Sequence, residues 1–164
     1  MNDSYEVFSK DLDAKTLEKA KKDLNENVKQ REIDIENIKE WILKQTYMNS
    51  MVDDDFIIRF LRASKYSYAK TQEQIKNFWI NRTEITKIFQ DRSFEDDSVT
   101  MEIADLGIYF PLLQPDSEGR IVLIQRIGMW DTEKYDFYDI AKYMFSVFDI
   151  VSMNPRAQIN GVSF

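Results

Sequence analysis

Side chains able to do chemistry are few in this 164-residue chain, and two of the usual ones are missing altogether, since it contains neither histidine nor cysteine. That removes disulfides, thiolate and imidazole metal sites, cysteine nucleophiles and histidine-based triads. Three groups remain to be weighed. Asp53-Asp54-Asp55 is a run of carboxylates that could hold a cation, but a run directly before an apolar-periodic stretch is better explained as a helix cap. Arg59 and Arg62 lie three apart and could receive an anion. The reading preferred here is that they pair with nearby carboxylates and tie a helical bundle to whatever follows it. Gln125 and Ser146 are neutral polar groups set among apolar residues, and a single buried amide could orient a ligand hydroxyl or carbonyl. No carboxylate pair or lysine stands at a diagnostic catalytic spacing, and four glycines make no phosphate-cradling loop. The expectation is a protein that is not an enzyme, with no metal and no cofactor.

Those groups need elements to position them. Gly119 to Asp131 carries the clearest strand: the turn Pro115-Asp116-Ser117-Glu118-Gly119, then Ile121-Val122-Leu123-Ile124. A continuous apolar run between turn signals predicts a strand covered on both faces. Alternation places Ile121, Leu123, Gln125 and Ile127 on one face and Val122, Ile124 and Arg126 on the other. Upstream, Leu17, Ala20, Leu24 and Val28 recur at helical spacing, followed by Ile35, Ile38, Trp41 and Ile42. Asp53 or Asp54 caps a third helix that buries Phe56, Ile57, Phe60 and Leu61. A fourth runs from about Tyr68 to Phe89. Residues 90–100 read as an acidic linker, and Leu106 to Phe110 as a short or edge strand, because Pro111 cannot donate to a ladder. Thr132 is the expected cap of a helix from about Tyr135 to Ser152, closed by Asn154-Pro155. The last seven residues read as the start of another strand. The order predicts an α+β chain, with an all-α bundle followed by a β-α-β unit whose strands are parallel. Two strands make no stable parallel sheet, so the chain is expected to be part of a longer design or to be completed by a partner.

The composition is that of a globular protein, 43% hydrophobic, 13% aromatic and 31% charged. A net charge of −7 argues against broad nucleic-acid binding, and no apolar signal core precedes the first helix, so a cytoplasmic location is the default.

Three stretches resemble the CRAL-TRIO family, the group that includes the α-tocopherol transfer and retinaldehyde-binding proteins. Asp54 to Tyr66 is similar to the family's D-x-F-L-x-R-F-L-R-A-R-K-F, with Ser64 in place of a basic residue. Asp116 to Asp131 resembles D-x-x-G-R-x-V-x-x-x-R-x-G-x-W-D. Tyr138-Asp139-Ile140 is followed one helix later by Gln158-Ile159-Asn160-Gly161-Val162. Residues 1–12 read as a flexible lead-in, and the resemblance, which covers roughly residues 35 to 164, implies a helical domain over 13–92 and an incomplete lipid-binding α/β domain over 93–164. It implies non-enzymatic binding and intermembrane transfer of a small hydrophobic lipid: a retinoid, a tocopherol-like compound, or a phospholipid or phosphoinositide. Transient membrane contact goes with that function, and self-association through the open strand edge is a further expectation. The alternative is a protein-interaction or regulatory module that uses the helical domain without lipid transfer. Through the family's landmarks and the strand alternation, the pocket is expected to be lined by Leu123, Gln125 and Ile127 of the strand. Ala141, Met144, Phe145 and Phe148 of the next helix, and Val162 and Phe164 of the last strand, would complete it.

Overall fold

The computed structural model describes residues 12–90, 92 and 97–164. The lead-in and part of the acidic linker expected from the sequence therefore lie outside the described residues. Five helices come first: α1 (Ala14–Leu24), α2 (Arg31–Leu43), α3 (Asp54–Ala63), α4 (Tyr68–Glu84) and the single turn α5 (Thr86–Phe89). After them come α6 (Ser98–Asp105), β1 (Tyr109–Pro111), β2 (Ile121–Gln125), α7 (Phe137–Ser152), α8 (Pro155–Asn160) and β3 (Val162–Ser163).

The bundle forms as its periodicity dictates. The Asp53 carboxylate accepts the Phe56 backbone N–H at 2.8 Å, satisfying a donor that the first turn of α3 leaves open. From that start α3 buries Phe56, Ile57 and Leu61 completely against Ile35, Ile38 and Ile42 of α2 and Ile75 of α4. Phe60 is only half-buried and meets Phe56 edge-on, with ring centroids 5.0 Å apart. The first helix departs from expectation. Its stripe leaves Leu17 exposed, Val28 lies beyond its end and is also exposed, and α1 instead buries Thr16 and Ala20. Small side chains suit that face because α1 lies close against α8, where the Asn160 amide donates to the Thr16 hydroxyl at 3.3 Å. The fourth helix is shorter than its periodicity suggests: Ile85 leaves helical geometry, and α5 restarts after it.

A second core sits between the sheet and α6, α7 and α8, built on Ile103, Ile108, Ile121, Leu123, Tyr143 and Val151. The sheet order is β1-β2-β3. β1 runs antiparallel to β2, with Tyr109 opposite Gln125, and β3 runs parallel, with Ile121 opposite Val162. The strand before Pro111 is a short edge strand, as its proline requires. β2 is less enclosed than its apolar run implies: Ile121 and Leu123 are fully buried, whereas Val122 and Ile124 on the opposite face are half-buried.

Three local features differ from the sequence reading. Asp136, rather than Thr132, caps α7, in a reciprocal box with Asp139. Residues 98–105 form α6, capped by Asp97, where the sequence suggested the end of a linker. Asn154-Pro155 ends α7 but also begins α8: the Asn154 side chain accepts from Arg156 N–H at 2.8 Å, and proline at the first helical position lacks only a donor that would be unpaired anyway. The last strand consequently shrinks to two residues. No described helix is long and apolar enough to cross a membrane.

Candidate functional site

Arg62 holds the two cores in register. It is 4% exposed, and its Nε and Nη2 donate to the two oxygens of Glu26 at 2.9 and 3.0 Å. Its remaining arm donates to Gln158 Oε1 of α8 at 2.6 Å. Glu26, equally buried, also receives Arg31 at 2.6 Å. Burial pushes the Glu26 carboxyl up, but its two arginine partners outweigh burial and hold it below the ordinary value. Glu26 was not singled out in the sequence: it sits past the end of α1 with no periodic signal, and only the tertiary fold brings it to Arg62. The expectation that the arginines of α3 bind carboxylates and join the bundle to the following part describes Arg62 well.

Beside this tie, a cleft of about 390 Å³ opens between α3 and α4 on one side and α7, α8 and β3 on the other. Its wall is mostly carbon, including Phe60 and Ala63 of α3, Phe78 of α4, Phe145 and Phe148 of α7 and Val162 of β3. A space of that size, apolar with few polar groups, is what a small hydrophobic ligand needs. Phe145 and Phe148 are each 43% exposed, so α7 turns part of its apolar face away from the core. Phe145 also meets Phe89 of α5 at 5.1 Å.

Polar groups gather at the α4 end. Asp149 accepts from Arg82 at 2.6 Å through one oxygen and from Arg92 at 2.6 Å through the other. The Arg59 guanidinium lies 4.5 to 4.8 Å from the ring centroids of Phe56, Phe60 and Phe78, and donates to Ser152 Oγ at 3.4 Å.

Of the pocket residues expected from the sequence, Phe145, Phe148 and Val162 line this cleft. Leu123 and Ala141 lie in solid core, and Met144 is half-buried against it, because the Ile121/Leu123 face of β2 packs directly on Tyr143 and Val147 of α7. Gln125, Ile127 and Phe164 are exposed and stand outside the cleft. Ser146 is buried, its hydroxyl donating to Lys142 C=O at 2.8 Å. The sequence reading did not foresee the opposite wall. Phe60 and Phe78 carry the same helical-spacing signal as bundle core, and nothing local marks which of them will face α7. Among the described residues, no group of His, Cys, Asp or Glu is arranged to hold a metal ion. Trp130 and Asp131 fix the turn after the strand: the indole N–H donates to Tyr135 C=O at 2.9 Å, and the carboxylate accepts Glu133 N–H at 3.0 Å.

A family model described as "Pinta-like, UBA domain" matches residues 25–99. Over 151 residues the chain is 27% identical to human Clavesin-2, a span that is 92% of this chain and 46% of that protein. It is 28% identical over 151 residues to Clavesin-1 of Rattus norvegicus, covering 42% of that protein, and 26% identical to Clavesin-1 of Xenopus laevis. The chain thus spans about half the length of the curated relatives it matches. These similarities support the CRAL-TRIO resemblance.

Proposed function

We infer that this chain is a non-enzymatic lipid-binding protein of CRAL-TRIO type, which takes up one hydrophobic molecule and passes it between membranes. The observation that carries the reading is the aromatic-walled cleft between the bundle and α7, in a chain similar to clavesins along nearly its whole length. The driving force is burial. A ligand that hides about 300 Å² of apolar surface gains about 7.5 kcal/mol before the entropic costs of association are counted. Release belongs at a bilayer, so exchange is slow in water and fast against vesicles. The division into a helical part over 13–92 and a lipid-binding part over 93–164 goes with this proposal, as does a cytoplasmic setting. So does a ligand drawn from retinoids, tocopherol-like compounds or phospholipids. Pairing of two copies through the outer edge of β3 is a further proposal. Native mass spectrometry of the purified chain tests the reading. A stoichiometric lipid adduct that organic extraction removes is expected, and its absence after incubation with a panel of these lipids refutes the proposal.

A second reading draws on the family model over residues 25–99: the helical part is a protein-interaction module. Titration of the isotope-labelled chain with ubiquitin separates the two. Shifts confined to α2–α4, with no lipid bound, favour the module.

A further inference from the structure

Two faces of α4 meet different surroundings. Phe78 and Arg82 line the cleft already described. Ile80 stands between them in sequence, two residues from each, so it falls about 200° round the helix, on the far side. There it is 50% exposed, at the centre of a row Lys76-Ile80-Glu84 spaced four residues apart. Both flanking residues are exposed, and among the described residues neither has an ion-pair partner. Lys76 lies 5.6 Å from the ring centroid of Trp41.

One exposed isoleucine is ordinary, but this one borders a hollow. The α2–α3 connection and α4 enclose a space of about 560 Å³ whose wall includes Tyr47, Met48, Trp79 and Ile80, with Lys76 and Glu84 also on it. Tyr47 is 71% exposed beside it. The Trp79 indole N–H donates to Ser50 Oγ at 2.8 Å and so pins the connection to α4. A space formed in advance costs little ordering when something fills it.

The order of the charges says what fits. Lys76 and Glu84 stand at equal distances from Ile80, about 6 Å along the axis to either side, and are opposite in sign. Such a row is complementary to itself read backwards. Laid antiparallel on a second copy, Ile80 meets Ile80 and each Lys76 meets the other copy's Glu84. Rows spaced by four residues come into line when two helices cross at about 50°, the commonest packing class. The arrangement has the two-fold symmetry of an isologous interface.

We propose that the Lys76-Ile80-Glu84 face of α4 is the interface of a homodimer, in which two copies of this chain cross antiparallel at Ile80 and cover each other's hollows. One helix face with a few loop side chains is a small contact, so association is weak, in the micromolar range. The paired charges set register more than strength. The cleft stays open in this dimer, because Phe78 and Arg82 are on the other side of α4.

Sedimentation velocity of the 164-residue chain across a concentration series tests this. A reversible monomer–dimer equilibrium is expected. Ile80→Asp abolishes it and leaves circular dichroism and urea unfolding unchanged, since the position is exposed. Lys76→Glu and Glu84→Lys, each alone, place like charges together twice across the axis and weaken the dimer at least about tenfold. Mixed one to one, these two variants pair with each other at parental strength, because each supplies the charge the other lacks. The double variant Lys76→Glu/Glu84→Lys dimerises again by itself. A chain that stays monomeric throughout the series overturns the proposal. So does a dimer that survives Ile80→Asp, which puts the contact elsewhere, as at the outer edge of β3. Charge variants that fail to rescue one another overturn the antiparallel register and the interface with it.

Discussion

Replacing Arg62 by methionine asks how much the buried tie between the two cores is worth. The change keeps a long unbranched side chain but removes two bonds to Glu26 and one to Gln158. Glu26 is left 3% exposed, with Arg31 as its remaining cation. Breaking a buried pair by deleting one partner costs about 3–5 kcal/mol, and the surviving Arg31 contact places this case near the lower end, at about 3 kcal/mol. The assay is urea unfolding followed by tryptophan fluorescence and circular dichroism, with the slope checked so that a shift in midpoint reports stability. The companion variant Arg62→Met/Glu26→Leu removes both charges, and Arg31 can turn to water. It is expected to recover at least about 1.5 kcal/mol relative to Arg62→Met alone, because two apolar groups of similar size replace the pair. A loss below about 1 kcal/mol for the single variant, or a double variant no more stable than Arg62→Met, refutes the view that the buried Arg62–Glu26 pair fixes α3 against the α1–α2 connection and so holds Arg62 in place for Gln158 of α8.

Other predictions follow from the same structure. Glu26 has a folded-state pKa below its ordinary 4.5, so the stability it contributes is present above that value and is lost as pH falls through the folded-state pKa. Glu26→Gln is expected to flatten the stability–pH curve in that acid window, and an unchanged slope counts against it. Gly119→Ala meets two obstacles: φ is +76°, and the new methyl stands 2.8 Å from the Asn160 amide nitrogen, which itself donates to Gly119 C=O. A loss of about 1–3 kcal/mol in urea unfolding is expected. Phe148→Asp puts a carboxylate on the cleft wall at a position 43% exposed in the ligand-free chain. Lipid-probe affinity is expected to fall at least about tenfold while unfolding stability changes by less than about 1 kcal/mol. A probe affinity that does not move denies Phe148 its place in the site.

The parts of this fold that were legible in the sequence are those where one local rule agrees with the tertiary environment. Asp53 caps α3 and Phe56, Ile57 and Leu61 are its buried stripe, because capping and periodicity act within one helix. β2 was equally plain. The features that escaped depend on contacts far apart in the chain. Leu17 is exposed although it fits the stripe, because α1 packs on α8 through Thr16 and Ala20. Asn154-Pro155 is at once a stop and a start, and the six residues of α8 are too few to show a period. At the site, Phe145, Phe148 and Val162 were reachable from the α7 stripe and the strand landmark. Their partners Phe60 and Phe78 were not, since a phenylalanine in a helix bundle carries no mark of which other element it will face. Arg59 was noted, yet its ring-lined, partly unpaired setting arises only when α3, α4 and α7 converge.

Photo-crosslinking with a fatty acid that carries a diazirine in its tail, followed by peptide mass spectrometry, tests most directly whether the cleft between the bundle and α7 is the lipid site. Adducts on Phe60, Phe78, Phe145 or Phe148, competed away by unlabelled lipid, are expected. Adducts concentrated around Gln125 and Ile127, or in the groove between the α2–α3 connection and α4 at Tyr47 and Ile80, contradict it.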